Sequence, residues 1–157
     1  MKWFLKCIRN YVNFSGRARR REYWNFVLFS ALLMIVAFIL DWICFGQYYG
    51  FFYGLSGLFL FLPNLAVMAR RLHDTGRSAK VLIWYYVLGL VWTIALVISG
   101  LATVMGGAAA STGFLVLLIA GSVAFLVWGI FFLVWFCTAG TMGENQYGPD
   151  PKQNEEF

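Results

Sequence analysis

Residues 81–143 read VLIWYYVLGLVWTIALVISGLATVMGGAAASTGFLVLLIAGSVAFLVWGIFFLVWFCTAGTMG, from Val81 to Gly143, without one Asp, Glu, Lys or Arg. A soluble fold of this size cannot hide so long an uncharged run, whereas a bilayer can. The run divides itself. Residues 102–113 are small and uncharged, and Gly106, Gly107 and Gly113 mark a turn there. On either side lies enough apolar sequence to cross a hydrocarbon core, with one span over about 81–101 and another over about 114–137.

Upstream the same pattern occurs twice more. One apolar stretch runs from Tyr23 to about Leu40, between Glu22 and Asp41, and another from about Phe51 to Ala69. Gln47, Tyr48, Tyr49 and Gly50 make the short turn between them. Pro63, followed by Asn64, loosens the second span and frees a carbonyl that a neighbour must satisfy. Gly50 and Gly54 form a weak GxxxG close-packing signal. Composition agrees: 61% of residues are apolar and 12% charged, half the charged share of a soluble domain. The expected architecture is all-α, a polytopic bundle of four transmembrane helices. It forms a single membrane domain over 1–151, with a polar tail at 152–157.

The N-terminus is not a secretory signal, because Arg9, Asn10 and Asn13 interrupt any apolar core and no cleavage site follows. Within residues 2–14, Trp3, Phe4, Cys7, Ile8, Tyr11 and Val12 recur at helical spacing, opposite Lys2, Lys6, Arg9 and Asn13. That pattern predicts an amphipathic helix lying in the membrane interface. The three cysteines, Cys7, Cys44 and Cys137, sit in no metal-binding or redox spacing. Topology places Cys44 near the outer surface and Cys7 and Cys137 near the inner one, and no disulfide is expected.

Lys and Arg number seven in segment 1–22 and four in loop 70–80, and none falls in 41–50 or 102–113. The positive-inside rule then puts both termini and loop 70–80 in the cytoplasm. The net charge of +5 is accounted for by this arrangement and by anionic headgroups, not by nucleic acid.

Three polar clusters therefore share one surface. They are Phe14–Trp24 (FSGRARRREYW), Leu65–Ser78 (LAVMARRLHDTGRS) and Gly140–Pro151 (GTMGENQYGPDP). In kind, order and spacing from the spans they resemble the YhaH/YhaI-like family of small bacterial inner-membrane proteins, a domain of unknown function. The resemblance covers nearly the whole chain. It implies a bacterial inner-membrane location and supplies no reaction. Many members of that family are expected to be shorter between the Arg-Arg-Leu-His-Asp motif and the tail.

The residues chosen as a candidate cytoplasmic polar cluster are Arg17, Arg19, Arg20, Glu22, Arg70, Arg71, His73, Asp74, Arg77, Asn145, Tyr147 and Asp150. Asp74 lies four residues after Arg70 and three after Arg71, within pairing reach on a continued helix, and Gly76 suits a left-handed stop. Glu22 sits among arginines and is expected to make an internal ion pair. Arg17, Arg19, Arg20 and Arg21 are expected at phosphate level, attracting an anionic leaflet. Asn145, Tyr147, Gly148, Pro149 and Asp150 have turn chemistry. The tail is thus expected to fold back, with Asp150 a partner for Arg17 or Arg77. His73 is the single histidine. It is too isolated for a metal, which needs three or four ligands, though it has the chemistry of a general base. No catalytic, cofactor or metal ligand set emerges.

Three functions remain. The favoured one is a non-enzymatic assembly, scaffold or regulatory protein, with a protein partner or a second copy of itself. The alternative is a transporter or channel, which usually carries an ionisable group inside its spans. Here Asp41 sits at an edge, and Pro63-Asn64 is the one stretch suited to line a path. An enzyme acting on lipid headgroups through His73 and Asp74 ranks lowest.

Overall fold

The computed structural model describes residues 2–46 and 50–151, and the side chains within them except at residue 2 and residues 105–110. The expected turn at 47–50 falls largely outside the described residues, as does the polar tail at 152–157. Helix α1 spans Lys2–Arg9, α2 Arg20–Phe45 and α3 Phe51–Asp74. Helical structure continues through Lys80–Cys137 and contains two span-length stretches, α4 (Lys80–Val104) and α5 (Ser111–Cys137). Four helices are thus long and apolar enough to cross a membrane. Among the described residues there is no strand, only an isolated bridge between Asn145 and Gly148. The chain is an all-α polytopic membrane protein.

It forms two compact units, one of Met1–Ala79 with Thr138–Phe157 and the other of Lys80–Cys137. In the first, α2 and α3 run antiparallel, with Gly57 beside Met34 and Arg70 beside Glu22. Both helices exceed the expected spans. α2 continues to Phe45 because nothing breaks it before Gly46. That glycine takes a left-handed φ of 66° and returns its N–H to Trp42 O. α3 continues through Asp74 and stops where expected, with Gly76 at φ 74° and Arg77 N bonded to Leu72 O. α1 is shorter than the predicted 2–14 helix. Beyond Arg9, the Asn10 amide turns back onto Lys6 O at 2.9 Å, and polar side chains that bond backbone compete with helix. Phe4 of α1 packs on Phe26 and Phe29 of α2, and Cys7 is fully buried.

Two backbone defects inside the apolar region are repaired by side chains from elsewhere. The first amides of α3 have no intrahelical acceptor. Asp41, expected at the edge of the first span, instead lies within α2 and is fully buried. Its oxygens accept from Phe52 N at 2.9 Å and Tyr53 N at 3.0 Å. A carboxylate there also complements the helix dipole. The second defect is at Pro63, which cannot donate to the carbonyl four residues earlier, that of Phe59. The Tyr11 hydroxyl donates to Phe59 O at 2.5 Å.

In the second unit, Trp92 Nε1 donates to Leu117 O at 3.4 Å. Twenty-five residues of straight helix would separate them by about 37 Å, so the chain doubles back and α4 packs on α5. The expected turn at 102–113, marked by Gly106, Gly107 and Gly113, instead has helical backbone, and the two spans extend into it, α4 to Val104 and α5 from Ser111. Tyr85 sits edge-on among Phe125, Trp128 and Phe132. Trp92 lies against Gly121, where a Cβ would fall 1.9 Å from the indole nitrogen. Only glycine permits that approach.

Replacing Asp41 with Ala leaves two helix-end donors unmatched. It should lower unfolding stability in detergent micelles by about 1–3 kcal/mol, and Asp41→Asn, which keeps one acceptor, by less. Equal stability of all three proteins would show that the cap contributes nothing.

Candidate functional site

The polar residues converge where α2 begins and α3 ends. Two carboxylates organise them. Asp74, at the last turn of α3, is 5% exposed. Its Oδ1 receives Arg17 Nε at 3.1 Å, and its Oδ2 receives Arg71 Nη1 from one turn back. Glu22, in the first turn of α2, is fully buried. It pairs with Arg70 Nη1 at 2.7 Å and with Lys6 Nζ at 2.9 Å. The Cys7 thiol lies 3.8 Å from Glu22 Oε1. Burial, reinforced by the Glu22 charge, pushes that thiol up to about 12.

Lys6, Arg17, Arg70 and Arg71 outnumber the two carboxylates, so cation N–H groups remain to be matched. Backbone carbonyls match most of them. Arg17 donates to Gly143 O at 2.6 Å, to Gly148 O at 3.4 Å and to Thr141 O. Arg71 donates to Thr138 O, and Arg70 Nε to Ala66 O at 3.3 Å. The tail is shaped for this. Gly143 and Gly148 take φ of 75° and 129°, conformations that favour glycine.

The end of α3 grips the tail in return. Asp74 O accepts from Thr141 N at 2.8 Å. Asn145 Nδ2 donates to His73 O at 3.0 Å and to Thr141 Oγ1 at 2.9 Å, while its Oδ1 accepts from Tyr147 N. The rings of His73 and Tyr147 stack with centroids 4.0 Å apart and planes 6° from parallel. His73 Nδ1 lies 3.2 Å from Gly16 O. Arg19 donates to Pro151 O. A Cβ at Gly140 would fall 2.1 Å from Asp74 Oδ2, so the tail crosses the carboxylate with no room for a side chain.

Of the residues singled out from sequence, Arg17, Glu22, Arg70, Arg71, His73, Asp74, Asn145 and Tyr147 meet in this clasp. Some expectations change. Arg17 is not open to an anionic leaflet: it is 8% exposed, with its donors on Asp74 and tail carbonyls. Arg70 reaches Glu22 instead of Asp74, because the second helix offers a nearer carboxylate. Tail carbonyls, which the sequence does not single out, meet Arg17 and Arg71, and Asp150 accepts from Gly143 N at 3.2 Å, bracing the tail's own turn. Arg20 is exposed at the start of α2, and Arg77 donates to Thr75 O. Lys6, Cys7, Gly140 and Thr141 were not among the residues chosen from sequence for the cluster. The helical spacing that buries Cys7 also sets Lys6 at its edge, but nothing local marks Gly140, whose role depends on a carboxylate 66 positions earlier.

Among the described residues no three His, Cys, Asp or Glu side chains gather as a metal site. Chemically the arrangement is a tie between segments. It opposes charge to charge, cation to carbonyl, and ring to ring.

A family described as a protein of unknown function (DUF805) matches residues 11–149. The chain belongs to that family. It is similar to inner membrane protein YhaH of Escherichia coli K12, 36% identical over 155 residues covering 97% of this chain and 98% of the relative. It is also similar to inner membrane protein YhaI of the same strain, 34% identical over 152 residues covering 97% of each. No solved structure matches.

Removing one partner of a buried charge pair costs about 3–5 kcal/mol. Arg17→Gln should therefore destabilise the chain and expose 141–151 to protease in solubilised protein. Gly140→Ala, which displaces the Asp74 carboxylate without touching a charge, should do the same. A Gly140→Ala protein whose tail is as protected as the native one would refute the close crossing.

Proposed function

We propose that this protein is a non-enzymatic scaffold of the bacterial inner membrane, with both termini cytoplasmic. Its clasp holds the N-terminal segment, the end of α3 and the C-terminal tail as one rigid cytoplasmic face. One observation carries the reading: the Asp74 carboxylate is shared by Arg17 and Arg71, each of which also donates to a tail carbonyl. A group that does acid–base work must reach a substrate with its proton free to move, and Asp74 is committed on both oxygens. The relatives' names, inner membrane proteins, support the location. The count of Lys and Arg on either side of the spans supports the orientation.

The exposed basic residues have a different role from the buried ones. Arg9 and Arg21 are exposed, as are the apolar side chains of Leu5, Val12 and Phe14. α1 packs at the level of Phe26 and Phe29, within the first turns of α2, where the headgroup layer begins. Basic groups there meet lipid phosphates while the apolar ones enter the acyl boundary.

Orientation is tested with the chain's own thiols. In right-side-out spheroplasts a membrane-impermeant maleimide should label Cys44 and spare Cys137, both of which are exposed. Permeabilisation should add Cys137. Cys7, buried with its thiol held up to about 12, should stay unmodified at pH 8 until the protein unfolds. Labelling of Cys137 from outside would invert the topology. The scaffold reading is tested by His73→Phe, which keeps a ring on Tyr147 and removes the imidazole. It should complement a deletion strain as well as the native gene, whereas a reaction through His73 predicts loss of complementation at normal protein level.

A further inference from the structure

The clasp closes over one imidazole. His73 is the single histidine of the chain and lies beyond the apolar stretch of α3, which ends at Ala69. Three segments meet on it. Its Nδ1 is 3.2 Å from Gly16 O of the linker, its ring lies flat against Tyr147 of the tail, and its own carbonyl accepts from Asn145 Nδ2. The Gly16 carbonyl can only accept, so Nδ1 carries the hydrogen of the neutral ring and Nε2 takes up a second proton. Nε2 has no partner among the described residues and is not one of the atoms sealed inside the unit, so a proton can reach it.

The tail that covers this ring is held lightly. Among the described residues no apolar side chain of 140–151 is buried, and Met142 is 92% exposed. Hydrogen bonds and the Tyr147 stack hold the segment, which places it among those that open at least cost. The charged groups around the imidazole are committed elsewhere. In the linker, Arg17 is on Asp74 and tail carbonyls, and Arg19 donates to Pro151 O. On α3 and the turn after it, Arg70 is on Glu22, Arg71 on Asp74 and Arg77 on Thr75 O. In the tail, Asp150 accepts from Gly143 N, Glu144 is exposed, and Tyr147 offers a neutral ring. Among the described residues no carboxylate pairs with the imidazole, so nothing there is reserved for a further positive charge.

We propose that His73 is a proton-operated latch for the C-terminal tail: the neutral imidazole keeps residues 141–151 on the end of α3, and acidification of the compartment that the clasp faces releases them. The sign follows from linkage. An imidazolium needs hydration that the docked tail withholds from one face of the ring. Burial accordingly holds His73 below the usual histidine value, against a smaller upward pull from the Gly16 carbonyl. A group that binds its proton more weakly with the tail docked than with it released favours release once protonated. The latch is therefore closed above about pH 6.5, the ordinary histidine value, and loosens as pH falls through the lower value of the covered ring.

The test uses the full chain in lipid nanodiscs, purified without a histidine tag, so that one labelled imidazole gives one NMR signal. The ring should titrate at lower pH in the native protein than in Tyr147→Ala, where its face is uncovered. Amide hydrogen exchange of 141–151, corrected for intrinsic rates, should accelerate in the native protein from about pH 7.5 to about pH 5, by up to about tenfold per pH unit, the limit for one proton. His73→Phe keeps a ring on Tyr147 and cannot titrate, so its tail should lack that acceleration. Protonation of carboxylates is common to both proteins and cancels in the comparison. Three results overturn the proposal. The ring titrates alike in native and Tyr147→Ala protein, or the native and His73→Phe exchange profiles run parallel, or native protection rises on acidification, which would mean that the π face of Tyr147 holds the imidazolium better than water does.

Discussion

The carboxylate of Asp74, held between Arg17 and Arg71, is the contact on which the polar end of the first unit depends. A charge buried this deeply is tolerated only when opposite charge and hydrogen bonds replace the water it loses. Asp74 obtains both, from two segments far apart in the chain. The consequence is geometric. Arg71 lies on the same helix, one turn back, so its position is set by α3. Arg17 has no helix of its own and is placed by the linker, which is zipped to α3 through the bond from Ala18 N to Arg70 O at 3.0 Å. Once the guanidinium of Arg17 is fixed, its remaining donors define where carbonyls must lie. The tail supplies them at Thr141, Gly143 and Gly148. A planar fork with five donors can tie three strands of chain in this way, and a lysine ammonium cannot.

Glu22 repeats the solution on a smaller scale. It draws Arg70 from α3 and Lys6 from α1, so the N-terminal helix is pinned by charge as well as by the packing of Phe4. The two centres share α3: adjacent arginines, Arg70 and Arg71, point to different carboxylates. That division is what a pair of neighbours on a helix, about 100° apart around its axis, allows.

The spans were legible in the sequence because hydropathy is a local property that a bilayer reads directly. The charge-free run after Lys80, the stop at Gly76 and the need for a donor near Pro63 all followed from residues within a turn or two of each other. The participants in the clasp were also legible, since titratable groups in a chain with so few of them must find one another. Their pairing was not. Spacing along α3 offered Asp74 to Arg70 and Arg71 alike, and only the approach of α2 decides between Asp74 and Glu22. The tail's attachment misled for a related reason. Opposite charges draw attention to Asp150, whereas the carbonyls that meet Arg17, at Thr141, Gly143 and Gly148, are carried by every residue and leave no mark in the sequence.

Asp41 and Tyr11 belong to the same physical account, although neither lies in the clasp. Within hydrocarbon every backbone donor and acceptor must be matched inside the protein. α3 breaks that condition twice, at its first turn and at Pro63, and each break is closed by a side chain from another helix or segment. These repairs join the opposite end and the middle of α3 to its neighbours, as the clasp joins its polar end. α3 is thereby fixed at three levels along its length, each time by a group that another segment supplies.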